Sequence, residues 1–154
     1  MEIFKTPDKS IWQVFAKHHY LSHSHNNAAH VYVCFIDEKL AGFLSVLHFP
    51  HPKVKNMKKV HRLVILPDYQ GAGFGIKFLN EIGKKYKDEG FRYTIVTSSP
   101  SLVHALKERK EWALKSHGRK KAHSGDLRQH NRISGLKGKG GGSQNRITTS
   151  WELK

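Results

Sequence analysis

The spacing of hydrophobic and polar residues along the chain predicts an alternation of helices and strands. Thr6-Pro7-Asp8 combines an N-cap hydroxyl with proline and an acid in the first turn. Apolar positions then repeat at helical spacing, which predicts a helix over about residues 7–19. Runs of β-branched and aromatic residues, each stopped by turn residues or proline, predict strands. These strands cover residues 30–36, 40–49, 60–66, 91–97 and, with strict alternation, 147–153.

Two amphipathic stretches in the second half predict further helices. The first runs from Gly75 to Gly90, where the glycine is typical of a residue just past a helix C-terminus. The second begins at Ser99-Pro100 and continues to Ala113, with one further short strand allowed near residues 114–122. The resulting order, α-β-β-β-α-β-α-β, predicts an α+β (mixed α/β) fold. We expect a central twisted, mostly antiparallel sheet with a βαβ crossover and flanking helices.

Length and composition are those of one domain with its own core. The chain has 154 residues, of which 38% are hydrophobic and 13 are glycine. The single cysteine, Cys34, excludes an internal disulfide and a cysteine-based zinc site, and is expected to be buried and inert. Apolar runs are far shorter than the ~18 residues that span a bilayer, and the N-terminus lacks the pattern of a secretory signal. We therefore expect a cytoplasmic protein with no bound metal and no membrane association.

Positive charge is concentrated towards the C-terminus. The formal net charge is +15, and residues 115–154 hold ten basic and two acidic residues, a net +8. Glycine, lysine and arginine dominate this region, so little apolar burial offsets its ordering, and we predict a mobile basic loop at about 124–145. The basic residues of 115–146 make nucleic acid a candidate partner through phosphate contacts. A solvated loop and an anchor for a cofactor phosphate are the alternatives.

The strongest local motif is the segment Gln70-Gly71-Ala72-Gly73-Phe74-Gly75, which lies between a predicted strand and a predicted helix. Alternate glycines let successive backbone N–H groups point into one concavity at the positive end of the helix dipole, which suits a phosphate or pyrophosphate. A tight turn without a ligand is the alternative. The segment lacks the lysine and hydroxyl of a P-loop, and its G-x-G-x-G spacing differs from the dinucleotide fingerprint.

This turn resembles the Q/R-x-x-G-x-G/A motif of the GNAT superfamily, the acetyl-CoA-dependent N-acetyltransferases. The element order is similar over about residues 7–114 and 146–153. The resemblance implies a single acetyltransferase-like domain over 1–154, with acetyl-CoA as cosubstrate. It also implies that a strand backbone pairs with the pantetheine arm and that backbone N–H groups of the turn bind the pyrophosphate. The implied cofactor-binding residues are Leu63, Val64, Ile65, Gln70, Gly71, Ala72, Gly73, Phe74, Gly75 and Ile76.

The resemblance further implies that a primary amine attacks the acetyl thioester directly in a ternary complex. We predict His61 as the base, because strand alternation puts it on one face with Leu63 and Ile65 and its ordinary pKa suits proton uptake near neutrality. A solvent-facing histidine, His48 and ordered water are the alternatives. The tyrosine that many members carry after the fifth strand has no counterpart within 98–114, which leaves the acid open. Its candidates are Ser99 and Ser101.

The acceptor side is less defined. The resemblance assigns it to the first helix and the loop that follows, with Trp12, His19 and Tyr20 as candidate substrate residues. The acceptor is an unidentified amine, and the basic charge favours one associated with nucleic acid or the ribosome. Two other interpretations stay open: a small-molecule amine acetyltransferase with an incidental basic loop, and a non-catalytic basic RNA- or DNA-binding module that retains the fold.

Overall fold

The computed structural model describes residues 1–19, 25–50, 53–119 and 147–154. Within these ranges the chain forms seven β-strands, three α-helices and a short 3₁₀ turn. The strands are β1 Glu2–Thr6, β2 His30–Ile36, β3 Lys39–His48, β4 Met57–Ile65, β5 Arg92–Thr97, β6 Trp112–Arg119 and β7 Ile147–Leu153. The helices are α1 Trp12–Ala16, α2 Phe74–Asp88 and α3 Pro100–Lys107, and the 3₁₀ turn is Pro67–Tyr69.

All seven strands of the described residues form one sheet in the order β1-β2-β3-β4-β5-β7-β6. Each neighbouring pair is antiparallel except β4 and β5, which run parallel. A parallel pair needs a crossover, and α2 supplies it. The predicted α+β class, with a mostly antiparallel sheet and one βαβ unit, is therefore confirmed.

Hydrophobic side chains fill both faces of the sheet. Alternate residues of the strands point to opposite sides, so Cys34 and Leu44 pack beneath α2 and α3 whereas Val33 and Phe43 pack beneath α1. The three tryptophans are buried in these two clusters. Burial also raises the pKa of the Cys34 thiol to about 11, which keeps it protonated and inert, as expected.

Two predicted boundaries at the N-terminus are wrong. The chain begins with a strand, β1, that pairs along β2, with Ile3 opposite Cys34. The Thr6 hydroxyl accepts the Asp8 N–H at 3.1 Å within a turn, and α1 covers only Trp12–Ala16 rather than 7–19. Pairing with β2 satisfies the backbone groups of residues 2–6 that face that strand, so the capping signal at Thr6 marks a turn after a strand instead of a helix start.

A third boundary differs at the end of α3. This helix ends at Lys107, and Trp112 already belongs to β6. The Trp112 indole N–H donates to the Asn80 side-chain oxygen at 2.7 Å, and its backbone pairs with Leu153. Tertiary contacts thus override the helical spacing that extended the prediction to Ala113. Within the described ranges no helix is long and apolar enough to cross a membrane.

Candidate active site

A cleft opens where β4 and β5 separate. The two strands pair only at their beginnings, with Met57–Lys59 beside Arg92–Thr94. Beyond this point β4 stays with β3, and β5 pairs with β7. The separation leaves a cavity of ≈ 480 Å³ between them. The predicted cofactor residues Leu63, Val64 and Ile65 lie on its β4 wall, next to the edge that β5 leaves unpaired.

The glycine-rich turn closes one end of this cavity. The Gln70 side chain donates to the Ile65 carbonyl at 2.7 Å, which ties the turn to the last residue of β4. Gly71 and Gly73 have φ of +84° and +77°, a backbone conformation that glycine adopts without strain. The hydrogen bond of the Gln70 side chain therefore holds the turn against the end of β4. Of the ten predicted cofactor-binding residues, Ala72 alone does not line the cavity.

The N-terminus of α2 presents unused hydrogen-bond donors at this turn. The first helical bond runs from the Lys77 N–H to the Gly73 carbonyl at 3.1 Å, so the N–H groups of Phe74, Gly75 and Ile76 have no acceptor within the helix. No side chain caps this end, and its first turn contains no acid. Because the three residues line the cavity, the positive end of the helix dipole is available there to an anion.

Hydroxyl groups line the opposite side of the cavity, where β5 leads into α3. Thr97, Ser99 and Ser101 all contribute to the wall. The Ser99 and Ser101 hydroxyls lie 3.1 Å apart, and the Ser99 N–H donates to the Thr97 hydroxyl at 3.1 Å. The structure thus brings both candidate acids to the cavity, and their role stays a prediction.

His61 lies in a β-bulge, which the sequence did not indicate. Ser45 pairs with Arg62 and Val46 pairs with Val60, so His61 is an extra residue in β4. The expected sharing of one face with Leu63 and Ile65 is wrong for this reason. Leu63 and Ile65 pack on the α2 side, whereas the His61 ring centroid lies 5.5 Å from that of His25, on the α1 side.

The surroundings of His61 weaken it as a base. Its Nε2 accepts the Asn26 N–H at 3.3 Å. Burial first, and then the positive charge of Arg62 and neighbouring histidines, lower its pKa from 6.5 to about 4. His61 is therefore neutral at pH 7 and lines the cavity, but its proton affinity is lower than expected. Its role as base stays a prediction. His48 is exposed at the end of β3 and does not line the cavity.

Aromatic and imidazole rings cluster on the α1 side of the bulge. The Trp12 ring centroid lies 5.7 Å from those of His19 and His25 and 5.0 Å from that of Phe43. Of the predicted substrate residues, buried His19 lines the cavity, Trp12 packs behind it, and Tyr20 lies outside the described residues. His25 belongs to the loop that the sequence analysis assigned to the acceptor side, whereas Phe43 was missed, because only the packing of α1 against β3 brings it next to Trp12.

Two further predictions concern metal binding and the basic residues near the C-terminus. Among the residues the structure describes, no group of three or more histidine, cysteine or acidic side chains is arranged to hold a metal ion. The predicted basic loop at 124–145 lies outside them, as does most of the candidate nucleic-acid segment 115–146. Only residues 115–119 of that segment are described, as part of β6.

The cavity thus lies between two separated parallel strands, with an uncapped helix N-terminus at one end and hydroxyl groups on the opposite wall. Residues 1–108 match the model of a family described as the acetyltransferase (GNAT) family. This match covers more than half of the chain, and the protein therefore belongs to the GNAT acetyltransferases. No curated protein sequence matches the chain significantly.

Solved structures with the same fold align with nearly the whole of this chain. A ribosomal-protein-S18-alanine N-acetyltransferase from Escherichia coli is 13% identical with a TM-score of 0.66, covering 99% of this chain and 92% of that one. A spermidine N-acetyltransferase from Vibrio cholerae is 12% identical with a TM-score of 0.64, covering 99% and 94%. A GNAT acetyltransferase from Elizabethkingia anophelis with acetyl-CoA bound is 11% identical with a TM-score of 0.59, covering 99% and 97%.

Proposed function

We propose that the protein transfers an acetyl group from acetyl-CoA to the nitrogen of a primary amine. The observation that carries this proposal is the cavity between β4 and β5, closed by the acid-free N-terminus of α2. A pyrophosphate suits the N–H groups of Phe74, Gly75 and Ile76, because they are unsatisfied donors at the positive end of a helix. The shared fold of a GNAT enzyme with acetyl-CoA bound supports the same assignment.

The unpaired edge of β4 offers a binding surface for the pantetheine arm of the cosubstrate. Its backbone groups near Leu63 have no partner on the β5 side, and an amide-bearing pantetheine chain would pair there as an added strand does. Gln70 already occupies the Ile65 carbonyl, so pairing is expected to use the residues before it. This arrangement would direct the thioester towards the bulge at His61, next to which the rings of His25 and Trp12 lie.

The proposed reaction is a direct displacement. The nitrogen lone pair of the free amine attacks the thioester carbonyl, a C–N bond forms, and the C–S bond breaks to release the coenzyme A thiolate. One proton leaves the nitrogen, for His61 or water, and one is taken up by the thiolate, with Ser99 and Ser101 as nearby donors. The carbonyl oxygen carries the developing negative charge until the C–S bond breaks.

Two measurements test this proposal. Isothermal titration should show binding of acetyl-CoA to the folded protein, and absence of binding at millimolar ligand would overturn it. Incubation with acetyl-CoA and a cell extract should then yield amines that are heavier by one acetyl group, detected by mass spectrometry. Binding of acetyl-CoA without any acetylated product would support a coenzyme A-binding protein that lacks the transferase step.

The net +8 of residues 115–154 favours an acceptor associated with nucleic acid or the ribosome. Charge of this kind supplies sequence-independent binding that weakens steeply with salt. A mobility-shift experiment with RNA, at two salt concentrations, should show binding that weakens when residues 125–145, which carry a net +3 of this charge, are replaced by a glycine-serine linker of equal length. Equal binding by the linker variant would contradict this acceptor class.

A further inference from the structure

Imidazole rings, but no carboxylate, line the described part of the cavity. Three histidines contribute to its wall, His18 and His19 after α1 and His61 in the bulge, and Tyr69 lies in the 3₁₀ turn. The described wall residues of β5, of α3 with the link before it, and of α2 are apolar residues, glycine, threonine and serine. An ammonium group in this cavity therefore meets no described carboxylate on any side.

The acids of the chain lie away from this wall. Of the twelve, Asp126 alone falls outside the described residues. The two acids at residues 37–38 form the turn between β2 and β3, about six residues of strand, roughly 20 Å, from the level of His61. Asp68 is exposed and does not line the cavity. Asp8 is bound to its own turn, where it accepts the Ser10 N–H at 2.8 Å and hydroxyl at 2.6 Å.

The hydrogen bond of His61 determines where its ring proton lies. The Nε2 atom accepts the Asn26 N–H at 3.3 Å, so the lone pair of that nitrogen is already in use. A neutral imidazole has one donor and one acceptor nitrogen, and Nδ1 therefore carries the proton and can only donate. To take a proton from an amine, the ring would first have to give up its bond to Asn26. In the described conformation His61 is a hydrogen-bond donor.

The charges around the bulge favour a neutral acceptor amine. Burial first, and then positive charge, lowers the pKa of both His25 and His61. Lys9 and Arg62 supply this charge at His25, and Arg62 and Lys59 contribute to it at His61. No acid raises the pKa of either ring. The same positive field acts on a bound amine and disfavours its ammonium form.

Resting on the proposed function, we propose that the acceptor is the α-amine of a peptide N-terminus, a primary amine on the carbon next to an amide carbonyl. The neighbouring carbonyl gives such an amine a pKa of about 8, against about 10.4 for the alkyl amine of a lysine side chain. At pH 7, roughly 10% of the α-amine but only about 0.04% of the alkyl amine is in the free, nucleophilic form. A cavity without a described carboxylate suits the amine that loses its proton unaided.

The carbonyl of the first peptide residue suits the same site. It is a hydrogen-bond acceptor two bonds from the carbon that bears the nitrogen, and His61 is a donor in the cavity wall. The acceptor ammonium releases one proton to solvent before the attack. As the C–N bond forms and the C–S bond breaks, nitrogen loses a second proton to water and the coenzyme A thiolate takes one up. One proton is thus released for each ammonium acetylated.

Two isomers test the proposal. One is Nε-acetyl-L-lysinamide, with a free α-amine, and the other is Nα-acetyl-L-lysinamide, with a free ε-amine, so both have the same atoms and the same charge when protonated. At pH 7 the α-amine isomer should have a kcat/KM at least about tenfold higher. This is less than the ratio of the free amines, because the more basic amine is the better nucleophile once free. Equal turnover, preference for the ε-amine, or turnover of neither isomer would overturn the proposal.

The pH dependence distinguishes selection by amine pKa from selection by shape. For the α-amine isomer kcat/KM should rise with pH and level off near pH 8, whereas for the ε-amine isomer it should continue to rise towards pH 10. The preference for the α-amine should therefore fall by about tenfold between pH 7 and pH 9. A preference that stays constant over this range would mean that shape selects the acceptor, and the proposal would be wrong.

An added carboxylate tests the role of the wall. His18 is exposed and lines the cavity, whereas Gln13 is exposed on α1 and does not. His18→Glu should lower the KM for the ε-amine isomer several-fold, because an ammonium then has a partner, and Gln13→Glu should leave it unchanged. Asp126→Asn should affect neither isomer. An unchanged KM in His18→Glu, or a loss of turnover in Asp126→Asn, would contradict the proposal.

Titration with acetyl-CoA separates this inference from the proposed function. If the folded protein does not bind acetyl-CoA, the proposed function fails and the inference fails with it. If acetyl-CoA binds and amines are acetylated without preference for the α-amine isomer, only the inference fails.

Discussion

The two ends of the cavity are built in different ways. The proposed cosubstrate end comes from one continuous segment, from the end of β4 to the first turn of α2, and presents mainly backbone groups. The proposed acceptor end draws side chains from α1, from the loop before β2, and from β3 and β4. The first end should therefore be sensitive to changes in backbone conformation and local charge. The second should be sensitive to single side chains and to pH.

The largest effect is expected from Gly73→Glu. Gly73 has φ of +77°, which strains any residue with a side chain, and a carboxylate there would repel the pyrophosphate. We expect acetyl-CoA affinity, measured by titration calorimetry, to fall by more than about 100-fold, which corresponds to ~2.7 kcal/mol. If residues 115–146 bind RNA as proposed, that binding should be nearly unchanged.

Gly90→Glu is the matched control for this substitution. Gly90 lies past the other end of α2 with φ of +82°, and a side chain would meet open space at both positions. The two variants should lose similar stability in denaturant, while only Gly73→Glu loses acetyl-CoA. Equal affinity of both variants for acetyl-CoA would show that the cosubstrate does not bind at this turn. A non-catalytic nucleic-acid module predicts that outcome.

A smaller effect is expected at the bulge. If His61 accepts the amine proton, His61→Gln should lower kcat by about 10- to 100-fold, at or below the usual contribution of a general base, because a pKa of about 4 makes this histidine a weak one. Acetyl-CoA affinity should not change. His48→Gln, at the exposed end of β3, should leave kcat within about twofold. Equal rates for both variants would assign proton removal to water.

The contrast between the two ends also explains what the sequence predicts well. The turn at Gln70–Gly75 combines a strand end, positive-φ glycines and a helix start within a few residues, so local rules suffice to locate it. The strands and α2 follow for the same reason, since their periodicity is local. Gly90 ends α2 as predicted, with the Phe91 N–H donating to the Tyr86 carbonyl at 2.8 Å.

The acceptor end was harder to predict because it depends on contacts between distant segments. The bulge at His61 is defined only by the register of β4 against β3, and strand alternation taken alone assigns this residue to the wrong face. Similarly, β1 forms because β2 provides a partner, and α3 stops because Trp112 pairs with Leu153. The contact between the His25 and Trp12 rings could not be predicted from the sequence positions of these residues.

Substitution of Gln70 tests the proposed cosubstrate end more finely. Its side chain holds the turn by one hydrogen bond, so Gln70→Leu removes about 1 kcal/mol of support from the Ile65 carbonyl. We expect acetyl-CoA affinity to weaken by roughly threefold to tenfold, with a small loss of stability in denaturant. A loss as large as that of Gly73→Glu would mean that Gln70 contacts the cosubstrate itself.

The last prediction concerns the pH dependence of stability and the imidazoles at the proposed acceptor end. The pKa of His61 is about 4 in the folded chain and near 6.5 when unfolded, so the unfolded state binds more protons between these values. The free energy of unfolding should therefore be highest above pH 6.5 and should fall as the pH approaches 4. His25 contributes in the same direction, because its pKa is also lowered. Denaturant titrations across this range should show a shallower pH dependence for His61→Gln than for His48→Gln. Identical slopes would mean that the His61 ring is solvated rather than packed against His25, and the acceptor end would then be more open than its aromatic contacts indicate.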